Sequence, residues 1–251
     1  MTPTRTIKLT IEYDGTDFQG WQFQIPPNRT IQEEIEKTLK KITKENIRVI
    51  GSGRTDSGVH ALGQVAHFKT KTKLSNATLL KALNYHLPKD ISVLRVQKVK
   101  NTFHAQFSAK KKTYRYTILN RIAPSAQERN FAYQFPYPLN VAAIKREAKN
   151  LVGRKDFKSF QASEARDTKE KSSVRTVSKV SIQKKGDFIY FEIEANGFLY
   201  KMVRNIVGTL LDIGTGKLPP GSLKKILAQK NRAAASKTAP AHGLCLVKVQ
   251  Y

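Results

Sequence analysis

The chain has 251 residues, with 45 Lys and Arg against 19 Asp and Glu, giving a formal net charge of +26. Hydrophobic residues make up 39% and are spread along the chain, which is enough to bury a core and excludes a disordered protein. The cationic surplus points to a polyanionic partner, either nucleic acid or an acidic membrane surface. No apolar run approaches the roughly 18 residues of a spanning helix, so no membrane partner is expected. The N-terminus lacks the apolar stretch of a secretory signal, and a cytoplasmic location is the expectation. The lone Cys245 excludes an internal disulfide framework and a Cys-rich zinc site.

Alternation predicts a first strand, with Ile7, Leu9, Ile11 and Tyr13 on one side and Lys8, Thr10 and Glu12 on the other, closed by an Asp14-Gly15 turn. Thr30 and Glu33 form a capping box for a helix whose apolar face is Ile31, Ile35, Leu39 and Ile42. Residues 47–50 read as a strand entering a glycine-containing loop at 51–58, and 64–69 as the next strand. Residues 75–86 read as a second helix stopped before Pro88, and 91–99 as a further strand.

A boundary falls near 101–112, dividing the chain into an N-terminal half, 1–105, and a C-terminal half, 106–251. Beyond it Tyr114, Tyr116 and Ile118 alternate with Thr113, Arg115 and Thr117 in a strand. Asn140 caps a helix carrying Val141, Ile144, Ala148 and Leu151. Residues 161–173 are polar and aperiodic and read as a mobile loop. Residues 174–183 and 188–195 pair about a Gly186-Asp187 turn. Val203, Ile206, Val207, Leu210 and Leu211 share one helical face that ends at Gly214, and 246–251 is a closing strand. The class is α+β, with a mostly antiparallel sheet, flanking helices and two similar halves around a central cleft suited to a ligand.

Several attractive motifs fail. Gly214-Thr215-Gly216-Lys217 resembles the tail of a phosphate-binding loop, but Leu211 stands at the upstream glycine position and Leu218 follows the lysine. Gly51-Ser52-Gly53 lacks the remaining dinucleotide-binding glycine. His60, His67, His86, His104 and His242 show no zinc-ligand spacing, and nothing calls for a cofactor.

The segment 51–68 is different. It packs Arg54, Thr55 and Asp56 between glycines directly after a predicted strand, where backbone can approach a ligand closely. An acid beside a fixed cation stays ionised and can act as base or nucleophile. Read alone, the same residues also fit an Asx-type turn with a surface Arg–Asp pair.

The run Gly53-Arg54-Thr55-Asp56-Ser57-Gly58-Val59-His60-Ala61 resembles the signature of the tRNA pseudouridine synthase A family. The resemblance continues through Tyr13 to Thr16, Phe18 to Gln22, Thr30 to Gln32, Lys112 to Tyr116, Asp156 to Phe160, Gly197 to Gly208 and Ala239 to Leu244, in order along almost the whole chain. It implies a pseudouridine synthase fold and a catalytic Asp56, which converts uridine to pseudouridine without a cofactor. Whether Asp56 attacks covalently or removes a ribose proton stays open; either role needs a carboxylate.

The resemblance also implies that Arg204 is the cation beside that carboxylate and that the ring of Tyr114 stacks on the target base. By pattern alone Arg204 equally fits an exposed helix face, and Tyr114 a core position in a strand. Arg54 is implied to help hold the extruded nucleotide and Leu244 to form an apolar wall against the uracil. Lys110, Lys111, Lys112, Arg115 and Arg175 are candidate phosphate contacts that equally fit a solvated face, and the charged loop is expected to help clamp RNA. The implied substrate is a uridine at about positions 38–40 of the tRNA anticodon stem-loop, reached by base flipping, and the implied assembly is a homodimer. A non-catalytic RNA-binding protein and a relative acting on another RNA are the competing readings.

Overall fold

The computed structural model describes residues 4–24, 28–163 and 172–251. In chain order the first elements are β1 (Arg5–Tyr13), α1 (Ile31–Thr43), β2 (Ile50–Gly51), β3 (His60–Thr70), α2 (Asn76–His86), β4 (Ile91–Val99) and β5 (Lys111–Leu119). There follow β6 (Tyr133–Gln134), α3 (Val141–Ala148), β7 (Gly153–Asp156), β8 (Val174–Lys185), β9 (Phe188–Ala195), α4 (Met202–Gly214), α5 (Ser222–Gln229) and β10 (Leu244–Gln250). The chain forms two compact units, one of Met1–Lys110 with Cys245–Tyr251 and one of Lys111–Leu244. Most of the mobile loop expected at 161–173 lies outside the described residues, including Arg166, Lys169 and Lys171.

In the first unit the sheet runs β4-β1-β3-β10, with β2 also paired on β3. β1 is antiparallel to both β3 and β4, and β10 adds in parallel to β3 through Cys245 opposite His60 and Leu246 opposite Ala61. The alternation of β1 is the driving pattern: Ile7, Leu9 and Ile11 are fully buried, while Lys8, Thr10 and Glu12 face the other side. α1 buries Ile31, Ile35 and Leu39 completely. Each such side chain contributes roughly 1.5–3 kcal/mol by leaving water. Thr30 caps α1 by accepting from the Glu33 N–H, but the Glu33 carboxylate pairs with Lys37 at 2.9 Å instead of closing the box. Ser75 caps α2 in the same way by accepting from Thr78 N–H. The strand expected over 47–50 shortens to Ile50–Gly51, because Val49 N–H donates to the Glu36 carboxylate of α1 rather than to a neighbouring strand.

In the second unit the order is β5-β9-β8-β7, all antiparallel, with β6 parallel to β5. β8 and β9 meet at Gly186, whose φ of +56° lies in the left-handed region that glycine occupies without strain. Asn140 caps α3 by accepting from Ala143 N–H. α4 is almost entirely buried, with Val203, Ile206, Val207, Leu210 and Leu211 all in the core. Among the described residues no helix is long and apolar enough to cross a membrane.

Candidate active site

Asp56 lies in the first unit, on the loop between β2 and β3, and is half-buried. The loop is tied down on both flanks. On one side Ser52 N–H donates to Val65 O, and Ser52 Oγ donates to Gln64 Oε1 at 2.7 Å. The Gln64 amide in turn donates to Gly53 O at 3.1 Å, so one fully buried glutamine of β3 fixes two consecutive loop residues. On the other side Trp21 N–H donates to Thr55 O, and the Tyr13 hydroxyl lies 2.8 Å from Thr55 Oγ1. Burial pushes the Tyr13 phenol far above its usual range, so it stays protonated. Ser57 Oγ and Gly58 N–H both bond Phe18 O, and Val59 N–H closes back onto Asp56 O.

The Trp21–Thr55 contact needs a glycine at position 20. Its φ is +88°, and a Cβ there would sit 2.5 Å from the Thr55 carbonyl oxygen. The segment from Tyr13 to Trp21 is thus the bed on which the aspartate loop lies. Arg54 points outward from that loop, its Nε donating to Gln22 Oε1 at 3.1 Å. His60, just beyond it, accepts from Gly15 N–H through Nδ1, which lies 3.2 Å from the Asp14 carboxylate.

Tyr114, Arg204, Leu244 and most of the candidate phosphate contacts belong to the second unit. Tyr114 on β5 is 8% exposed and meets the ring of Phe198 edge-on at 5.1 Å. Arg204, in the first turn of α4, donates from Nε to Ala239 O at 2.8 Å, and Ala239 N–H returns a bond to Arg204 O. Asn205 next to it holds the same segment, accepting from the Thr238 hydroxyl at 2.6 Å and donating to Phe160 O. Such close approach to a helix requires Gly208, where a Cβ would lie 1.9 Å from Lys237 O. Leu244 is buried at the start of β10.

The basic residues are less uniform than the sequence suggests. Lys110 is exposed and belongs to the first unit. Lys111 pairs with Glu194 at 3.0 Å, and Arg115 pairs with Glu192 through Nη2 at 2.7 Å, so both already have carboxylate partners. Lys112 is half-buried; burial and then the neighbouring Arg175 push its ammonium down to about 8. Arg175 is held below its usual range by burial, and its Nη1 donates to the carbonyls of Ser172 and Val174.

Gln64, Tyr13, Trp21 and Asn205 carry no site role in the sequence reading. Tyr13, Trp21 and Asn205 lie within the runs that resemble the family, but a polar or aromatic residue in a buried stretch does not by itself separate a clamp from core. Among the described residues no group of three or more His, Cys, Asp or Glu is placed to hold a metal.

A family model described as tRNA pseudouridine synthase matches residues 9–108 and 148–251. The chain is 47% identical over 247 residues to tRNA pseudouridine synthase A of Thermoanaerobacter sp. (strain X514), covering 98% of this chain and 100% of that protein. It is 49% identical over 247 residues to tRNA pseudouridine synthase A of Bacillus licheniformis, covering 98% of each. It is 46% identical over 247 residues to tRNA pseudouridine synthase A 2 of Clostridium perfringens, covering 98% of this chain and 100% of that protein. The chain belongs to the tRNA pseudouridine synthase family.

Proposed function

We propose that this chain isomerises uridine to pseudouridine in tRNA, with Asp56 as the catalytic residue and targets at about positions 38–40 of the anticodon stem-loop, which must be flipped out of the stack. The observation that carries the reading is the aspartate loop itself. A half-buried carboxylate sits on a segment clamped by Gln64 on one flank and by Tyr13 and Trp21 on the other. Such fixing is what a reacting group needs, since misplacement by about 1 Å can cost a hundredfold in rate.

The reaction breaks the bond from uracil N1 to ribose C1′, turns the base and joins C5 to C1′. The C5 proton is lost and N1 gains one, so the change is an isomerisation with no net gain of atoms or electrons. Asp56 serves as nucleophile or base; both need the ionised carboxylate. Arg204 supports that ionised form, held in its rotamer by the bond to Ala239 O. Tyr114 stacks on the target base and Leu244 provides an apolar wall. Arg54 steadies the extruded nucleotide, and Lys110, Lys111, Lys112, Arg115 and Arg175 hold phosphates. The protein acts in the cytoplasm as a homodimer.

The test is release of tritium from tRNA labelled at uracil C5, with wild type and Asp56→Asn in parallel. Stoichiometric release by wild type alone supports the reading. Binding of tRNA without release would make the chain an RNA-binding protein. Release only from other RNAs would move the substrate.

A further inference from the structure

The first unit carries a second group of rings away from the Asp56 loop. In the register of β1, Lys8 lies opposite His67 of β3 and Gln97 of β4, on the face opposite to the buried Ile7 and Leu9. Over this face the chain folds residues 101–108. Ala105 N–H donates to His67 Nδ1, while Gln106 and Phe107 N–H both converge on His104 Nδ1. His104 N–H bonds Ser108 Oγ, Ser108 N–H returns a bond to His104 O, and the Tyr251 hydroxyl donates to Ala105 O.

These bonds build a ladder of three rings. His67 is buried; His104 lies 4.8 Å from it; Phe107 stacks on His104 at 4.2 Å with 21° between the planes. The outermost ring is 79% exposed. Beside the ladder Phe103 and Tyr251 are 4.9 Å apart, and the Lys8 ammonium stands over both rings, at 5.8 and 5.6 Å. Lys69 and Arg95 share this face of the sheet, opposite Thr6 and Thr10 of β1.

A lone exposed phenylalanine is ordinary. A flat ring held outward by a stacked histidine, on a loop fixed by side-chain and backbone bonds over a sheet face that carries Lys8, Lys69 and Arg95, is the arrangement that receives a nucleobase on its π face while cations meet the flanking phosphates. We propose that Phe107 is a stacking platform for an unpaired base of the bound tRNA, distinct from the uridine that reacts. The proposal rests on tRNA being the substrate, and it adds a contact outside the chemistry.

Binding of tRNA is measured for wild type, Phe107→Ala, Phe107→Trp and Phe107→Leu, with a thermal melt of each. Phe107→Ala should bind roughly ten- to a hundredfold more weakly, the range of one base–aromatic stack. Its log–log salt slope should be unchanged, because no phosphate contact is lost. Phe107→Trp should restore affinity and Phe107→Leu should not. A photoreactive benzoylphenylalanine at 107 should crosslink to an unpaired nucleotide. Affinity unchanged in Phe107→Ala overturns the proposal. So does rescue by Phe107→Leu or a crosslink to a second copy of the chain, either of which would make the ring a protein contact. If wild type binds tRNA but releases no tritium, the catalytic reading fails while these binding measurements still decide the platform.

Discussion

The Tyr13 hydroxyl and the Thr55 hydroxyl lie 2.8 Å apart in the interior of the first unit, one residue from Asp56. This bond joins the end of β1 to the loop that carries the proposed catalytic carboxylate. Tyr13→Phe keeps the ring and its packing but leaves the buried Thr55 hydroxyl without that partner. We expect a stability loss of about 1–3 kcal/mol. We also expect a fall of about tenfold or more in the single-turnover rate at saturating tRNA, because the loop loses one of its two ties at Thr55, next to Asp56. A lower melting temperature with an unchanged single-turnover rate would reduce Tyr13 to a fold residue.

Asp56→Asn conserves shape and removes the charge. Isomerisation should be abolished, to below about a tenth of the normal rate, since both candidate roles need the carboxylate. Affinity for tRNA should change little. Turnover above that level, measured by tritium release, would sink the assignment of Asp56.

Local pattern carried the elements whose side chains alternate or recur. β1, α1, α2, β4 and β9 were legible because one face of each is buried and the opposite face is not, and α4, buried nearly all round, because its apolar residues recur at helical spacing. The short strands β6 and β7 were not, since two and four residues carry no resolvable period, and the helix α5 was not read from the sequence either. The strand at 246–251 was legible as a strand, but not its place: pairing in parallel beside β3 joins Cys245 to His60 and Leu246 to Ala61, far apart in the chain. The candidate site was legible only where residue types are distinctive. Asp56 stands out between glycines, whereas Gln64 looks like one polar residue within a buried strand until its two bonds to the loop are seen.

Gly208 is a second test of how the fold sets a side chain. A Cβ at this position would meet the Lys237 carbonyl at 1.9 Å, so Gly208→Ala must push the 237–239 segment off α4. That segment holds the acceptor for Arg204 Nε. We expect a destabilisation of about 1–3 kcal/mol by overpacking, and a loss of activity that exceeds the loss of tRNA affinity. Arg204→Ala should reproduce the activity loss with a smaller effect on melting. If Gly208→Ala melts lower but turns over normally at a temperature where it is folded, Arg204 does not depend on Ala239 for its action.

Lys112 separates stability from binding. Its ammonium is pushed down to about 8 from 10.5, first by burial and then by Arg175. The folded value lies below the unfolded one, so between about pH 8 and 10.5 the unfolded chain binds more protons and stability rises with pH across that window. Below about pH 8 the full cost of the buried charge is present. Lys112→Met removes that cost and should stabilise the protein at pH 7 by on the order of 1–3 kcal/mol. The advantage over wild type should shrink as pH approaches 10.5. If Lys112 meets a phosphate, the same variant should bind tRNA more weakly and lower the magnitude of the log–log salt slope by about 0.7–0.9. Lys111→Gln should change the slope less, because Lys111 already pairs with Glu194. Chemical denaturation at pH 7 and pH 9.5, together with binding over a salt series, reads both effects. A variant less stable than wild type at pH 7, or one with an unchanged salt slope, would mean that the Lys112 charge is already compensated within the protein and that the phosphate lies elsewhere.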